Sequence, residues 1–321
     1  MRQRTLGTSS LLVPEVGFDA GAPVRAGLDE GAAVALLHQA IDLGVTFLDS
    51  APTDGSDGQG EWLLGRVARA RRADRERLVL ATKAGYRPAP SPWAGPGKGR
   101  RPALRVPPRG ALEQDFGAAA LLASIDRSLA RLGEPIDLLM VHNPDPDELA
   151  RDELPGFLDG QVAAGKLRAW GAAFGPAPPG APPAPHPEEP GQAALRELRL
   201  PAVAVRYNLA SQDPGRALLD AARVTGGALV ALGADAAAEL GGRRPALPLD
   251  ALARIGRGHD RSLTQLAIGF ALADPSVAVA LTSATDQRLV EAALAGELPP
   301  LGQDELDRIA ELHADHPRSS R

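Results

Sequence analysis

The sequence predicts an α/β chain of one domain over residues 1–321, a (β/α)8 TIM barrel with an N-terminal β-hairpin and long C-terminal-face loops. Three observations carry this. Eight short stretches are apolar on both faces, as parallel strands covered by helices must be, and a helical segment follows each of them. A chain of 321 residues with 44% hydrophobic content is long enough to wrap eight such units around one core. No Gly-x-Gly-x-x-Gly follows the first strand, which weighs against a doubly wound open sheet.

Residues 4–13 read as a hairpin and LVPEVGF, 12–18, as the first strand. A helix capped by Asp29 fills 30–44, and VTFLD at 45–49 is the second strand. A helix at 61–70, the strand LVLAT at 78–82 and a helix at 118–133 come next, then the strand IDLLMV at 136–141. The alternation continues with helix 148–164, strand 167–173, helix 191–199, strand 202–207, helix 215–226 and strand 228–233. The last unit has a helix at 262–274, the strand VAVALT at 277–282 and a helix at 286–296, and a helix at 304–313 closes the chain. Three loop insertions interrupt the units: 86–117, rich in Pro, Gly and Arg; 176–190, of low complexity and read as extended; and 234–260. All three leave from strand C-termini, the face on which barrel enzymes build their sites.

The net charge of -5 gives no electrostatic footprint for nucleic acid. The absence of cysteine excludes a disulfide scaffold, a thiolate metal site and a cysteine nucleophile. His38, His186, His259, His313 and His316 have no ligand spacing, so no metal is predicted. No run of eighteen apolar residues occurs and the N-terminus lacks a signal-peptide core, which predicts a cytoplasmic protein with no membrane partner, acting on a small-molecule substrate. Only three of the 35 basic residues are lysine, and only two tyrosines occur. With 35 Gly and 30 Pro, that bias points to GC-rich coding and a bacterial source.

The scarce residues locate the chemistry. Asp49, Lys83 and His142 stand at the C-terminal ends of consecutive strands, where a barrel makes them converge. A carboxylate paired with an ammonium, beside an imidazole that orients or protonates a substrate oxygen, is a workable acid–base set. Tyr86 and Trp93 lie in the first long loop, where an inward fold brings them to a ligand, and Asn143 follows His142. Arg206 places an unusual charge on the sixth strand. Trp62 and Trp170 read as packing residues.

RTLGTSSLLVPEVGF, GVTFLDSAPTDG with GEWLLGRV, RLVLATKAG, SLARLGEPIDLLMVHNPDP, AAGKLRAWGAA, VRYNLA and SLTQLAIGFALADP occur in that order over nearly the whole chain. In these segments the sequence resembles the aldo-keto reductases, and within them the aldose and galactose dehydrogenase-like branch. The resemblance implies a (β/α)8 barrel, hydride transfer from NADPH, and a tetrad of Asp, Tyr, Lys and His, three of which match Asp49, Lys83 and His142. The fourth does not: the tyrosine of Ala-x-x-Tyr-Gly is here Asp54. A phenol can protonate a carbonyl oxygen, whereas an aspartate is shorter by about a ring and is normally ionised at pH 7. Beside Lys83 it is expected to be held as the anion.

The cofactor positions depart as well. The Gly-x-Gly-Thr-Trp of the first strand reads Gly17 to Gly21, GFDAG. The pair that holds the nicotinamide amide aligns with Ala173 and Phe174, the sixth-strand glutamine with Ala204, and the stacking tyrosine with about Ala231. The phosphate turn falls on Thr282, Ser283, Ala284 and Thr285, without its arginine. Tyr207, Asn208 and Ser283 remain to contact NADP if it is used. Three functional readings follow: a reductase scaffold repurposed to redox-neutral proton transfer without a cofactor, through Asp49, Asp54, Lys83 and His142; an NAD(P)-dependent reductase or aldose dehydrogenase with an altered acid; and a non-enzymatic binding or regulatory subunit.

Overall fold

A computed structural model describes residues 1–55, 57–88, 112–241, 245–258, 260–286 and 299–316. Eight parallel strands close into a barrel in the order β3 (Val16–Asp19), β4 (Phe47–Asp49), β5 (Val79–Ala84), β8 (Ile136–His142), β9 (Leu167–Phe174), β10 (Ala202–Arg206), β11 (Ala228–Leu232) and β12 (Val277–Thr282), which returns to β3. The predicted (β/α)8 TIM barrel is the observed fold. Helices α2 (Glu30–Asp42), α3 (Gln59–Ala70), α4 (Ala118–Leu132), α6 (Glu153–Ala163), α7 (Glu188–Arg196), α8 (Gly215–Thr225) and α11 (Leu263–Leu272) are the outer layer, and α12 (Gln303–Asp315) packs near the chain's end.

Strand alternation divides the apolar residues into two cores. One face of each strand joins the helices in a Leu- and Ile-rich shell that includes Leu48, Leu80, Leu139 and Val203. The other face fills the barrel with smaller or rounder groups such as Phe47, Ala81, Met140, Ala204 and Val230. The lumen is closed at the bottom by the antiparallel hairpin of β1 (Gln3–Thr5) and β2 (Leu12–Pro14), whose Leu6, Leu11 and Val13 belong to the inner core. Arg4 clamps that plug, donating to the carbonyls of Leu272, Asp274 and Val277 and to Glu15.

Several expected boundaries change. The strand read at 12–18 is two: 12–14 pair in the hairpin, and the barrel strand begins at Val16. Pro14 has no N–H to continue a ladder, and Glu15 turns out to meet Arg2 and Arg4. The helix read at 148–164 is α5 (Pro146–Leu149) followed by α6, because Pro155 fits a first turn but breaks a helix interior. The segment 234–260 is no plain loop; it holds α9 (Ala237–Leu240) and α10 (Leu249–Arg257), the latter buried through Leu252 and Ile255. Of 176–190, the last three residues already belong to α7. The ends of 86–117 form a ribbon, β6 (Tyr86–Pro88) with β7 (Leu112–Gln114), above the barrel. Trp93, His259 and the helix expected at 286–296 beyond Asp286 lie outside the described residues.

Candidate active site at the C-terminal mouth of the barrel

The same alternation that packs the lumen decides what stands at its top. On β8 the inward residues are Leu138, Met140 and then His142; on β5 they are Val79, Ala81 and then Lys83. On β4, Phe47 is followed by Asp49, and on β10, Ala202 and Ala204 by Arg206. Each of these four strands is apolar on its inward face until the last inward position, which is polar. On β3 that position is Asp19, paired in register with Asp49.

These ends open on a cavity of about 440 Å3, roofed on one side by Pro176–Pro179. Five carboxylates (Asp19, Asp49, Asp54, Asp235 and Glu239) and three cations (Arg25, Lys83 and Arg206) line it. Lys83 Nζ donates to Asp49 Oδ2 at 2.5 Å and to the Ser50 carbonyl at 3.0 Å. Burial, only partly opposed by Lys83 and reinforced by Asp19, raises the Asp49 pKa to about 6. Burial also works against the Lys83 ammonium, but Asp49 and then Asp54 outweigh it and hold its pKa above the ordinary lysine value. His142 is driven the other way: burial, with Lys83 adding to it, lowers its pKa to about 3. At neutral pH it is a neutral imidazole, a hydrogen-bond donor or acceptor and not an acid of ordinary strength.

Asp54 lines the cavity as expected, but its directly bonded cation is Arg25, not Lys83. Arg25, on the short helix α1 (Gly21–Arg25), donates to Asp54 Oδ1 at 2.5 Å and also pairs with Asp19. Asp54 Oδ2 accepts from Ser50 Oγ at 3.0 Å and from the Ala51 amide at 2.8 Å. Only glycine fits at 21, where a Cβ would lie 2.2 Å from the Asp54 carboxyl. Burial lifts Asp19 above the usual carboxylate value despite Arg25, with Asp54 adding to the lift. Arg206 does face the cavity, where it pairs with Glu239 of α9.

Other expected site residues are placed elsewhere. Tyr86 is buried outside the cavity lining, its ring edge-on to His142 with centroids 5.0 Å apart and its hydroxyl accepting from Asn143 Nδ2 at 3.1 Å. Burial raises its pKa, only partly opposed by the hydrogen bond from Asn143. Asn143 is a fastener: Oδ1 accepts from the Gly175 amide at 2.8 Å and the residue is 2% exposed. Tyr207 turns to the outer core, against Phe270 with centroids 5.5 Å apart, where burial pushes its pKa to about 12. Asn208 joins two loops, donating to the Gly233 carbonyl after β11 and accepting from the Ala210 amide in its own loop. Neither of these two lines the cavity; Ser283 does, held by Asp235. Trp170 is buried and donates to Asp159, while Trp62 is 39% exposed and is not the packing residue expected.

Sequence reading missed Asp19, Arg25, Asp235 and Glu239. Asp19 carried a usable signal, since Gly17 and Asp19 flank the outward Phe18 on a strand end. Arg25 carried none, because the short helix that delivers it has no distinctive pattern. Among the described residues, no group of three or more His, Asp or Glu is arranged to hold a metal ion, and no helix is long and apolar enough to cross a membrane.

Comparison with known proteins agrees with this architecture. The chain is 36% identical over 178 residues to 6-dehydroglucose reductase of Novosphingobium aromaticivorans, covering 52% of this chain and 50% of that one. It is 34% identical over 135 residues to L-glyceraldehyde 3-phosphate reductase of Escherichia coli, covering 41% and 33%. The matched stretches thus span half or less of these curated relatives. A solved aldo-keto reductase of Bacillus halodurans, in its holo form, superposes with a TM-score of 0.74 at 26% identity, over 97% of this chain and 96% of that one. Residues 20–314 match the model of the Aldo/keto reductase family, and the chain belongs to that family.

Proposed function

We propose that this chain catalyses a redox-neutral proton transfer (cyclisation, dehydration or isomerisation) on a small carbonyl or polyhydroxyl metabolite. One observation carries the reading. The position at which the resemblance expects a proton-donating phenol holds a carboxylate fixed by Arg25, Ser50 and Ala51. All three partners donate to that group, and Tyr86 does not line the cavity to put a phenol in its place. Asp49 is the base: with a pKa of about 6 it is mostly ionised at pH 7, yet basic enough to take a proton from the carbon beside a carbonyl. The electron pair moves onto the carbonyl oxygen, where the Lys83 ammonium offsets the charge and neutral His142 donates a hydrogen bond. In an isomerisation the Asp49 acid then returns the proton to the former carbonyl carbon, while the adjacent hydroxyl passes its proton to the former carbonyl oxygen. In a dehydration the enolate pair re-forms the carbonyl, a double bond forms, and the proton goes to the hydroxyl that departs as water.

The family implies a nicotinamide dinucleotide, and the side chains at its positions do not fit one. Ala173 and Ala204 are small lumen residues, Phe174 and Ala231 face the outer core, and Tyr207 and Asn208 are turned away. The chemistry above needs no dinucleotide. A second reading, NAD(P)-dependent carbonyl reduction with Asp49 as the acid, is favoured by the intact Lys83–Asp49 pair and by relatives named as reductases.

The test is incubation with a panel of aldoses and ketoses in D2O without nucleotide, read by proton NMR. Deuterium is expected at the carbon beside the carbonyl, and Asp49→Asn should abolish its entry. If no sugar exchanges and NADPH is oxidised in a substrate-dependent manner instead, the second reading replaces the first.

A further inference from the structure

The loops after the seventh and eighth barrel strands are where (β/α)8 proteins commonly hold phosphate, on backbone amides and hydroxyls. Here the end of β12 presents such a donor set, and it is already filled. Asp235, from the loop after β11, accepts from Thr282 Oγ1 at 2.9 Å, from the Ser283 amide at 2.7 Å and from Ser283 Oγ at 3.1 Å. Its other oxygen takes the Ala237 amide at 3.3 Å. All of these donors are neutral, the arrangement expected around a bound anion, and the carboxylate is 7% exposed.

We propose that Asp235 is a specificity-determining residue, a built-in anion that occupies a phosphate-type cradle and so selects unphosphorylated ligands and rejects phosphate-bearing ones, dinucleotides included. The surroundings reinforce the selection. Glu239 stands on the same wall and neutralises Arg206, while Asp19 and Asp54 neutralise Arg25 across the cavity. An incoming phosphate therefore meets a filled cradle, an acidic wall and arginines already committed to carboxylates. An uncharged polyol lacks that penalty and can donate its hydroxyls to the same carboxylates.

The experiment reads binding alone, so it stands apart from the exchange assay. Inorganic pyrophosphate and NADP+ are titrated calorimetrically, at low ionic strength, into the wild type, Asp235→Ala and Asp235→Asn. The wild type should bind neither probe below millimolar concentration. Asp235→Ala frees all three Thr282 and Ser283 donors and should bind pyrophosphate at least tenfold more tightly. Asp235→Asn, which removes the charge but still fills the space, should gain several-fold. Adding Ser283→Ala to Asp235→Ala removes one of the three freed donors and should reduce the gain, which a general loosening of the loop would not do. Submillimolar binding of either probe by the wild type overturns the proposal, as does a lack of gain in whichever Asp235 variants melt cooperatively, or a gain that Ser283→Ala leaves undiminished. If phosphate is rejected as described while no sugar exchanges deuterium, the proton-transfer reading fails and this one stands.

Discussion

Lys83 and Asp49 hold one another in opposite states of comfort, and that gives the pair a measurable signature. A base with a pKa of about 6 makes turnover rise with pH through a midpoint near 6. Lys83→Met removes the cation that opposes the rise, so the midpoint should move up by about one pH unit or more, while the rate falls by about 10²-fold or more. A pH–rate profile of both proteins checks this; an unmoved midpoint would reject Asp49 as the base. His142 has its own signature in stability. Its folded pKa is near 3 against an ordinary 6.5, so only the unfolded chain takes the proton between those values. The stability it contributes is present above pH 6.5 and is lost as pH falls toward 3. Urea unfolding should show His142→Gln gaining on the wild type by about 2 kcal/mol between pH 7 and 4.5, allowing for the imidazole's partial access to solvent. Asp49, with its pKa raised, contributes the opposite slope: its stability is full below pH 3.8 and lost as pH rises through 6. Asp49, Lys83 and His142 were legible in the sequence because strand ends in a barrel converge. Asp19 obeys the same rule, but its strand has only four residues, too few for the alternation to stand out beside the glycines at 17 and 21.

At the scale of elements, the cavity depends on contacts between loops that are remote in sequence. Asn143 sits at φ +54° just beyond β8 and bonds both Tyr86, at the start of the β6–β7 ribbon, and Gly175, where the proline-rich roof begins. Gln114 of the ribbon adds a bond to the Asn143 carbonyl at 2.9 Å. Asn tolerates the left-handed region better than other side chains, and here its amide also ties three loops. Asn143→Ala loses both bonds and strains the backbone, at an expected cost of about 2–3 kcal/mol; Asn143→Gly relieves the strain and should cost about 1 kcal/mol less. Equal destabilisation in urea unfolding would show that the backbone conformation contributes nothing. Those ties explain why the sequence described 86–117 and 176–190 only as insertions. Their composition marks them as irregular, but three-residue strands leave no periodic pattern, and the contacts that position them are made by single side chains.

For the whole molecule, the question is how a lumen lined with alanine at its upper levels keeps its mouth in register. Ala81, Ala173 and Ala204 contribute little bulk, so β5 has little lumen packing at that level. One buried polar link fixes that strand beside the site. Glu61 of α3, fully buried, accepts from Thr82 Oγ1 of β5 at 2.6 Å and from Arg131 Nη1 of α4 at 2.8 Å. Thr82 points outward while its neighbour Lys83 points inward, so the link holds the strand from behind at the level of the cavity. Removing Glu61 leaves the buried Arg131 only the exposed Asp57, at 3.2 Å, whereas replacing both Glu61 and Arg131 with apolar groups of like size need not destabilise. Glu61→Ala should therefore cost about 3–5 kcal/mol, and the double variant Glu61→Met with Arg131→Met should recover most of that. The double variant should nevertheless turn over more slowly than wild type, because Thr82 then has no carboxylate to fix the backbone beneath Lys83. Wild-type turnover in a stable double variant would show that the apolar shell alone sets the geometry of the mouth.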